Sequence, residues 1–187
     1  MSSAPVFREL VSALNRAGIS YMVVGSFASN LFGDSRGTQD IDIVVSANAQ
    51  QIRALLDAFP KAQYYFDLNT ALEACRHRSM FNILDMERGW KIDVIFQKSG
   101  AYHEQAFRRR TAAQIEGVDV VALTPEDVII SKLLWAKMGE SSLQIGDVAG
   151  VLKVQQNSLD LPYIEKWIAE LGLVAQWSQA RQLAGVE

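Results

Sequence analysis

The chain alternates between segments with apolar residues at helical spacing and short apolar runs typical of strands. Val6, Leu10 and Leu14 recur at helical spacing, and Gly18 follows where a helix would end. The β-branched run at 40–45 has the composition of a strand. By the same patterns, helices are predicted at 3–17, 26–32, 46–60, 69–76 and 101–110. Strands are predicted at 19–24, 40–45 and 63–66, as a hairpin within 79–97 that turns at 87–89, and as a pair around Gly117.

The pattern becomes helical from Thr124 onward. In "TPEDVIISKLLWAKM", Thr124 is predicted as N-cap, Pro125 as the first helical residue and Asp127 as the capping-box residue. Helices are also predicted near 141–156, 161–171 and 173–184, with their tryptophans, Trp135, Trp167 and Trp177, in the core or at helix interfaces. The predicted fold class is therefore α+β. A mixed β-sheet core flanked by helices covers residues 1–122, and a helical C-terminal region packed on it covers 123–187.

The composition excludes several classes of protein but does not indicate an activity. Of 187 residues, 49% are hydrophobic and 21% are charged, so a substantial core is expected. The net charge of -3 argues against a general nucleic-acid coat protein. The single cysteine, Cys75, excludes an internal disulfide framework. With no secretory signal and no apolar run of about 18 residues, a cytoplasmic protein without a membrane span is expected.

Two aspartates interrupt the predicted strand "DIDIVV". Because side chains alternate across a strand, Asp40 and Asp42 share one face, with the carboxylates roughly 7 Å apart along the strand. In "WKIDVIF" the same alternation separates Lys91 and Asp93 from the apolar face. If the two strands are neighbours, three carboxylates converge on one sheet face.

Crowded carboxylates repel one another unless a positive charge lies among them. Mg²⁺ is the natural counter-ion, since it accepts a few carboxylates together with water and substrate phosphate oxygens. Mn²⁺ is the expected substitute. Asp40, Asp42 and Asp93 are therefore candidate metal ligands and catalytic residues. The alternative is that Asp40 and Asp42 are solvated acids at the edge of a sheet, which a D-x-D pair alone does not exclude.

The turn between the first predicted strand and helix is Gly25-Ser26. Backbone N–H groups and the helix dipole attract phosphate at such a turn, and the Ser26 hydroxyl adds a donor. The alternative is an ordinary turn with Ser26 as N-cap. Arg36 offers charge-assisted contacts to a triphosphate, or is a solvated loop arginine.

Lys132 lies within "VIISKLLWA", a helix that is apolar nearly all round and is therefore expected to be buried. Asp147 shares a helical stripe with three apolar residues, Leu143, Val151 and Val154. A buried charge requires a partner. Two interpretations stay open: an ion pair that joins two helices, or a lysine that neutralises triphosphate and is oriented by the aspartate.

Taken together, G25-S26, R36-x-T38-x-D40-x-D42 and the later Asp93 resemble the nucleotidyltransferase superfamily with a DNA polymerase beta-like fold. The spacing, with the "SKL" and "GDVAGVL" motifs around Lys132 and Asp147, looks most like the AbiEii-type bacterial enzymes. The resemblance implies that Gly25, Ser26, Arg36, Thr38, Lys132 and Asp147 bind the nucleotide. It also implies metal binding by Asp40, Asp42 and Asp93, with Asp93 as general base.

The function that this resemblance implies is Mg²⁺-dependent transfer of a nucleoside monophosphate from an NTP such as ATP to an acceptor. RNA (tRNA), a protein hydroxyl and a small molecule such as an aminoglycoside remain open as acceptors. Some relatives are toxins, so a cognate antitoxin is an expected partner. The alternatives are a non-catalytic module that binds a nucleotide or partner protein, and a structural domain with solvated acids.

Overall fold

The computed structural model describes residues 2–139 and 141–186, so that Met1, Glu140 and Glu187 lie outside the described part. Within it the helices are α1 (Ala4–Arg16), α2 (Gly25–Phe32), α3 (Ala49–Asp57), α4 (Leu68–His77), α5 (Ala101–Arg109), α6 (Pro125–Gly139), α7 (Ser142–Gln155), α8 (Leu161–Leu171) and α9 (Val174–Ala184). The strands are β1 (Ser20–Val23), β2 (Asp40–Ser46), β3 (Tyr64–Tyr65), β4 (Met80–Asp85), β5 (Trp90–Phe96), β6 (Thr111–Ile115) and β7 (Val118–Ala122).

The seven strands form one mixed sheet in the order β3-β4-β5-β2-β1-β7-β6. β2 pairs in parallel with β5 and antiparallel with β1, while β4 pairs antiparallel with β5. The β1–β7 pair is parallel, and β6–β7 and β3–β4 are antiparallel. The predicted α+β class is confirmed.

The central strands bury one face and leave the other more open. On β2, Ile41, Ile43 and Val45 are fully buried, whereas Asp40 is exposed and Asp42 half-buried. β5 repeats the arrangement, with apolar residues buried at alternate positions. Strand alternation therefore predicted the side-chain faces of both strands correctly.

The chain divides into two compact units, and each of them consists of two separate segments of the chain. The sheet unit consists of the chain through Phe27 together with Gly37–Ala122. The helical unit consists of Ala28–Arg36 together with the chain from Leu123 onward. Most of α2 and the first part of the loop after it, through Arg36, thus group with the C-terminal helices.

Within the helical unit, the Thr124 side chain caps α6 as predicted, and Asp127 bonds to the Thr124 hydroxyl. The Thr124 hydroxyl accepts a hydrogen bond from the Asp127 backbone N–H at 3.3 Å and donates one to the Asp127 carboxylate at 2.9 Å. Tyr163 also donates to that carboxylate at 2.7 Å, which satisfies an acid with no exposed surface.

The prediction that the three helical tryptophans lie in the core or at helix interfaces was wrong for one of them. Trp167 and Trp177 are buried, but 57% of Trp135 is exposed. Leu143 and Val154, placed on the same stripe as Asp147, are also exposed. An apolar helix pattern indicates that burial is favourable, but it does not say which face a neighbour covers. No helix in the described ranges combines the length and apolar character needed to cross a membrane.

Candidate active site

Two acids of the sheet unit lie directly opposite each other on neighbouring strands. In the parallel β2–β5 pair, Asp42 is in register with Asp93, and Asp40 is in register with Lys91. Because paired residues in adjacent strands point to the same face, the outward face of β2 and β5 carries three carboxylates and one ammonium. The structure thus brings Asp40, Asp42 and Asp93 to one sheet face.

Lys91 supplies the positive charge among these acids. Its Nζ lies 3.0 Å from Asp93 Oδ2 and 3.5 Å from Asp40 Oδ1. The hydrogen bond to Asp93 raises the pKa of Lys91 above its ordinary value. Partial burial opposes the rise, and the charges of Asp93 and Asp40 add to it. Lys91 is therefore a cation held by two of the predicted metal ligands.

Asn82 fixes the other oxygen of Asp93. It lies opposite Asp93 in the antiparallel β4–β5 pair, and its Nδ2 donates to Asp93 Oδ1 at 2.5 Å. The Asp93 carboxylate, which is mostly buried, is thus held by a donor on each oxygen. This arrangement fixes the orientation of Asp93 relative to the sheet.

Gly25 provides the space that Asp42 occupies. A Cβ placed on Gly25 would lie 2.1 Å from Asp42 Oδ2 and 2.7 Å from its Cγ. Gly25 also has a φ of +63°, which favours glycine. Since Gly25 begins α2, the carboxylate lies at the positive end of that helix dipole. Ser26, the next residue, is buried.

The start of β2 is held by Thr38. Its hydroxyl accepts a hydrogen bond from the Asp40 backbone N–H at 3.2 Å and donates to the Asp40 carbonyl at 3.3 Å. The Lys91 backbone N–H donates to the Gln39 carbonyl at 3.1 Å, which continues the pairing before the strand. Thr38 thus positions the backbone of Asp40, a role that its motif spacing did not indicate.

In the helical unit, Asp147 binds two cations. Its Oδ2 accepts from Lys132 Nζ at 2.6 Å, and its Oδ1 accepts from Arg36 Nε at 3.1 Å. Lys132 and Asp147 are both mostly buried, whereas the Arg36 side chain is 32% exposed. The structure therefore shows the Lys132–Asp147 contact that both interpretations of these residues require. Two cations on one carboxylate leave a net positive charge.

Asn30 holds the backbone of Arg36, and sequence reasoning did not identify it. Its Nδ2 donates to the Arg36 carbonyl at 2.8 Å, and its Oδ1 accepts from the Arg36 N–H at 3.1 Å. The only sequence feature that pointed to Asn30 was its amide side chain within the helix "SFASNLF". Asn82 and Lys91 were likewise missed, although each follows the strand alternation that identified Asp93.

The donor chemistry suits Mg²⁺, but the described residues contain no group of three or more His, Cys, Asp or Glu side chains spaced to hold a metal. Asp42 and Asp93 nonetheless offer hard carboxylate oxygens from facing positions. Mg²⁺ commonly takes one or two protein carboxylates and completes its shell with water and substrate phosphate. The residues present therefore fit Mg²⁺ or Mn²⁺ bound together with a nucleotide.

Solved structures with the same fold include enzymes that modify antibiotics. The crystal structure of ANT(2")-Ia in complex with adenylyl-2"-tobramycin has a TM-score of 0.60 at 13% identity, covering 92% of this chain and 97% of that chain. The lincomycin-bound lincosamide antibiotic adenylyltransferase LnuA has a TM-score of 0.54 at 11% identity, covering 82% and 98%. An antigenic nucleotidyltransferase-like protein from Paracoccidioides brasiliensis has a TM-score of 0.55 at 16% identity, covering 100% and 95%.

A comparison with curated proteins finds no match. At the identities above, the solved structures establish a shared fold. The sequence itself matches a family model, DUF6036, described as a nucleotidyltransferase of unknown function, over residues 6–183. That range is nearly the whole chain, and the protein therefore belongs to this nucleotidyltransferase family.

Proposed function

We propose that the protein transfers a nucleoside monophosphate from an NTP such as ATP to a hydroxyl group of an acceptor. In this reaction a bond forms between the acceptor oxygen and the α-phosphorus. The bond from the α-phosphorus to the bridging oxygen of the β-phosphate breaks, and pyrophosphate leaves. Asp93 accepts the hydroxyl proton, the role that the resemblance to the nucleotidyltransferase superfamily implies for it.

The observation that carries this proposal is the alignment of Asp42 with Asp93 across the parallel β2–β5 pair. A facing pair of carboxylates on strands joined by backbone hydrogen bonds is held with little freedom, which favours catalysis by positioning. Asp40 lies two residues earlier on the same face and completes the predicted set of ligands. Mg²⁺, or Mn²⁺ in its place, would neutralise phosphate charge and align the reacting oxygens when bound by these acids.

The phosphate-binding roles follow from local charge. Gly25 and Ser26 form the N-terminal turn of α2, whose dipole favours an anion. In the helical unit, Arg36 and Lys132 are proposed to neutralise triphosphate charge, with Asp147 orienting both. Thr38 supports the site through the backbone of Asp40. Catalysis of phosphoryl transfer depends largely on such positioning and charge neutralisation.

The acceptor is proposed as one of three classes: a tRNA or other RNA end, a protein hydroxyl, or a small molecule. The small-molecule class is supported by two proteins that share the fold. The structure of ANT(2")-Ia contains adenylyl-2"-tobramycin, and that of LnuA contains lincomycin. The AbiEii-like spacing of the motif supports the RNA class, a toxin role and an antitoxin partner. Its support comes from the sequence alone.

Incubation with α-phosphate-labelled NTPs tests the proposal. Each labelled NTP is supplied with Mg²⁺ and with separate acceptor pools: total cellular RNA, soluble protein, and aminoglycosides and lincosamides. Label is expected in one pool, and its loss on adding EDTA is expected because the acids need a metal to bind phosphate. Absence of label from every pool, with NTP still bound, would favour the non-catalytic nucleotide-binding module instead.

Matched variants show whether the acids carry the activity. Asp40→Asn and Asp42→Asn remove charge and keep volume, and label transfer is expected to fall by about 100- to 1,000-fold, the order seen when electrostatic catalytic groups are lost. Asp119→Asn is the control, because Asp119 is an exposed acid on β7 of the same sheet. Equal activity in Asp42→Asn and Asp119→Asn would refute the assignment.

A further inference from the structure

Lys91 lies on the face of β2 and β5 that carries Asp40, Asp42 and Asp93, although it is not one of the predicted metal ligands. It lies opposite Asp40 in the β2–β5 register and two residues before Asp93 on β5. Its ammonium contacts Asp93 Oδ2 at 3.0 Å and Asp40 Oδ1 at 3.5 Å. In this arrangement the Lys91 ammonium offsets the negative charge of Asp93 and Asp40, as a bound divalent cation would.

The contacts of Asp93 leave a metal in competition with this lysine. Asn82 donates to Oδ1, so Oδ2 is the oxygen that Lys91 covers. A divalent ion bound to Oδ2 at about 2.0–2.1 Å would lie close to the ammonium if the lysine stayed in place. Two cations at that separation repel strongly in the partly desolvated face.

We propose that Lys91 is an internal counter-cation that holds the acidic site together when no metal is bound and is displaced when a divalent cation binds. Because this inference places the cation at Asp42 and Asp93, it rests on the proposed function. Lys91 is suited to the exchange, since 39% of its side chain is exposed and its flexible stem lets the ammonium move into water. An arginine fork on the same carboxylate would release less readily.

Two consequences separate this role from a purely structural ion pair. Removing the lysine charge should strengthen metal binding in the absence of nucleotide, because the metal ion then has no ammonium group to displace. It should also destabilise the metal-free protein, because Asp93 and Asp40 then lose the cation that they share. Added metal should reverse that destabilisation. An ion pair that only supports the fold would give the loss of stability without the gain in metal affinity.

The test is Mn²⁺ binding measured by electron paramagnetic resonance on the full chain without nucleotide. Lys91→Met is expected to bind Mn²⁺ about tenfold more tightly than the wild type, a modest figure because the ammonium is partly solvent-screened. Lys91→Arg, which keeps the charge, should not show the gain. Lys98→Met is the matched control, because Lys98 is an exposed lysine just beyond the same strand, and its affinity should equal the wild type.

Asp42→Asn in the Lys91→Met background locates the metal that is measured. The double variant should lose the gain in affinity, and a double variant that keeps it would overturn the inference, since the ion would then bind elsewhere. Equal or weaker Mn²⁺ binding by Lys91→Met would also overturn it.

Thermal melting gives an independent readout. In EDTA, Lys91→Met should melt below the wild type, and saturating Mn²⁺ should raise its Tm by more than it raises the wild-type Tm. Equal Mn²⁺ shifts in the two proteins would contradict the exchange. Label transfer by the wild type shows whether a negative result disproves the role of Lys91 or the proposed function itself. Transfer without the gain in affinity disproves only the role of Lys91, whereas absence of transfer from every acceptor pool disproves the proposed function.

Discussion

The Asp42 carboxylate lies in the space that a side chain would fill at Gly25. A Cβ on Gly25 would come within 2.1 Å of Asp42 Oδ2, far closer than non-bonded atoms approach. The Gly25-Ser26 turn was predicted to attract phosphate through its backbone N–H groups. The structure gives Gly25 a second role, because its missing side chain makes room for an acid from the neighbouring strand.

Gly25→Ala is therefore expected to lower label transfer by about 100-fold, since it forces Asp42 out of position. The alanine also adopts a positive φ, which costs about 1–2 kcal/mol of folding free energy. Activity is measured as the initial rate of label transfer, and stability by urea denaturation.

Gly89→Ala separates these two effects. Gly89 lies in the β4–β5 turn with a φ of +70°, and a Cβ added there would meet no atom within 4 Å. The variant should lose a similar amount of stability and keep its activity. Comparable losses of activity at Gly25 and Gly89 would mean that backbone strain, rather than the displacement of Asp42, is responsible.

Asn82 is expected to act as a positioning residue through Asp93. Asn82→Ala removes the donor to Asp93 Oδ1, so kcat should fall by about 10–100-fold, the usual effect of losing a partner that orients a metal ligand. The KM for NTP should change little, because Asn82 is not among the predicted nucleotide ligands. Asn82→Ser keeps a donor and should recover part of the loss.

Met80→Ala is the control for Asn82, because Met80 is an exposed residue at an alternate position of the same strand. Its kcat should match the wild type. If Asn82→Ala instead raises KM and leaves kcat unchanged, Asn82 contacts the nucleotide and does not orient Asp93.

Asp147 should matter more for stability than Lys132. Asp147→Asn leaves two cations without their shared carboxylate, and removal of one partner from a buried ion pair costs about 3–5 kcal/mol. Lys132→Met leaves the Arg36–Asp147 pair in place, so its cost should be smaller. Urea denaturation of both variants measures the difference.

Glu170→Gln is the control for an exposed pair. Lys166 and Glu170 are separated by 3.9 Å on the surface of α8, and loss of that pair should cost no more than about 0.5 kcal/mol. The KM for NTP distinguishes the two interpretations of Lys132. A rise of about tenfold in Lys132→Met is expected from lost phosphate contacts, whereas an unchanged KM would leave only the structural ion pair.

Glu116 should make the stability of the sheet unit depend on pH. Its carboxylate accepts hydrogen bonds from the Ser2 hydroxyl at 2.6 Å and from the Ser3 and Ala4 backbone N–H groups at the start of α1. The hydrogen bond from Ser2 lowers the pKa of Glu116 below its ordinary value of 4.5, slight burial opposes the shift, and the backbone donors add to it.

Because the pKa of Glu116 is lower in the folded state, its contribution is present above about pH 4.5. The contribution is lost as the pH falls through the folded-state pKa. Glu116→Gln should therefore reduce the free energy of unfolding by about 0.5–1 kcal/mol at pH 7, the lower part of the range for a helix cap, because Glu116 is exposed. The gap to the wild type should close in strongly acidic buffer. A gap of constant size across that range would contradict this role.

Local patterns predicted the strands and helices, and strand alternation placed Asp42 and Asp93 on the faces of β2 and β5 opposite their apolar residues. The same alternation placed Lys91 beside Asp93, but its contact with Asp40 depends on the β2–β5 register. Register between strands distant in the chain is fixed by tertiary packing, which no local window contains.

The polar side chains that hold the site residues in place were harder to predict for a similar reason. The Lys132–Asp147 pair was one of two open interpretations, but Arg36 was not expected to join it. Asn30 and Asn82 act through hydrogen bonds to groups that become neighbours only in the fold. Trp135 shows the converse, since an apolar position in a helix remained exposed.

The discontinuity of the helical unit bears on how the protein is synthesised. Ala28–Arg36 leaves the ribosome before all of Gly37–Ala122, yet it groups with residues that follow Leu123. The native neighbours of the early segment are therefore synthesised only after the whole of Gly37–Ala122, whereas the sheet can begin to pair sooner. For the same reason, recombination that exchanges only the C-terminal helices between relatives would leave behind the short stretch that carries Asn30 and Arg36.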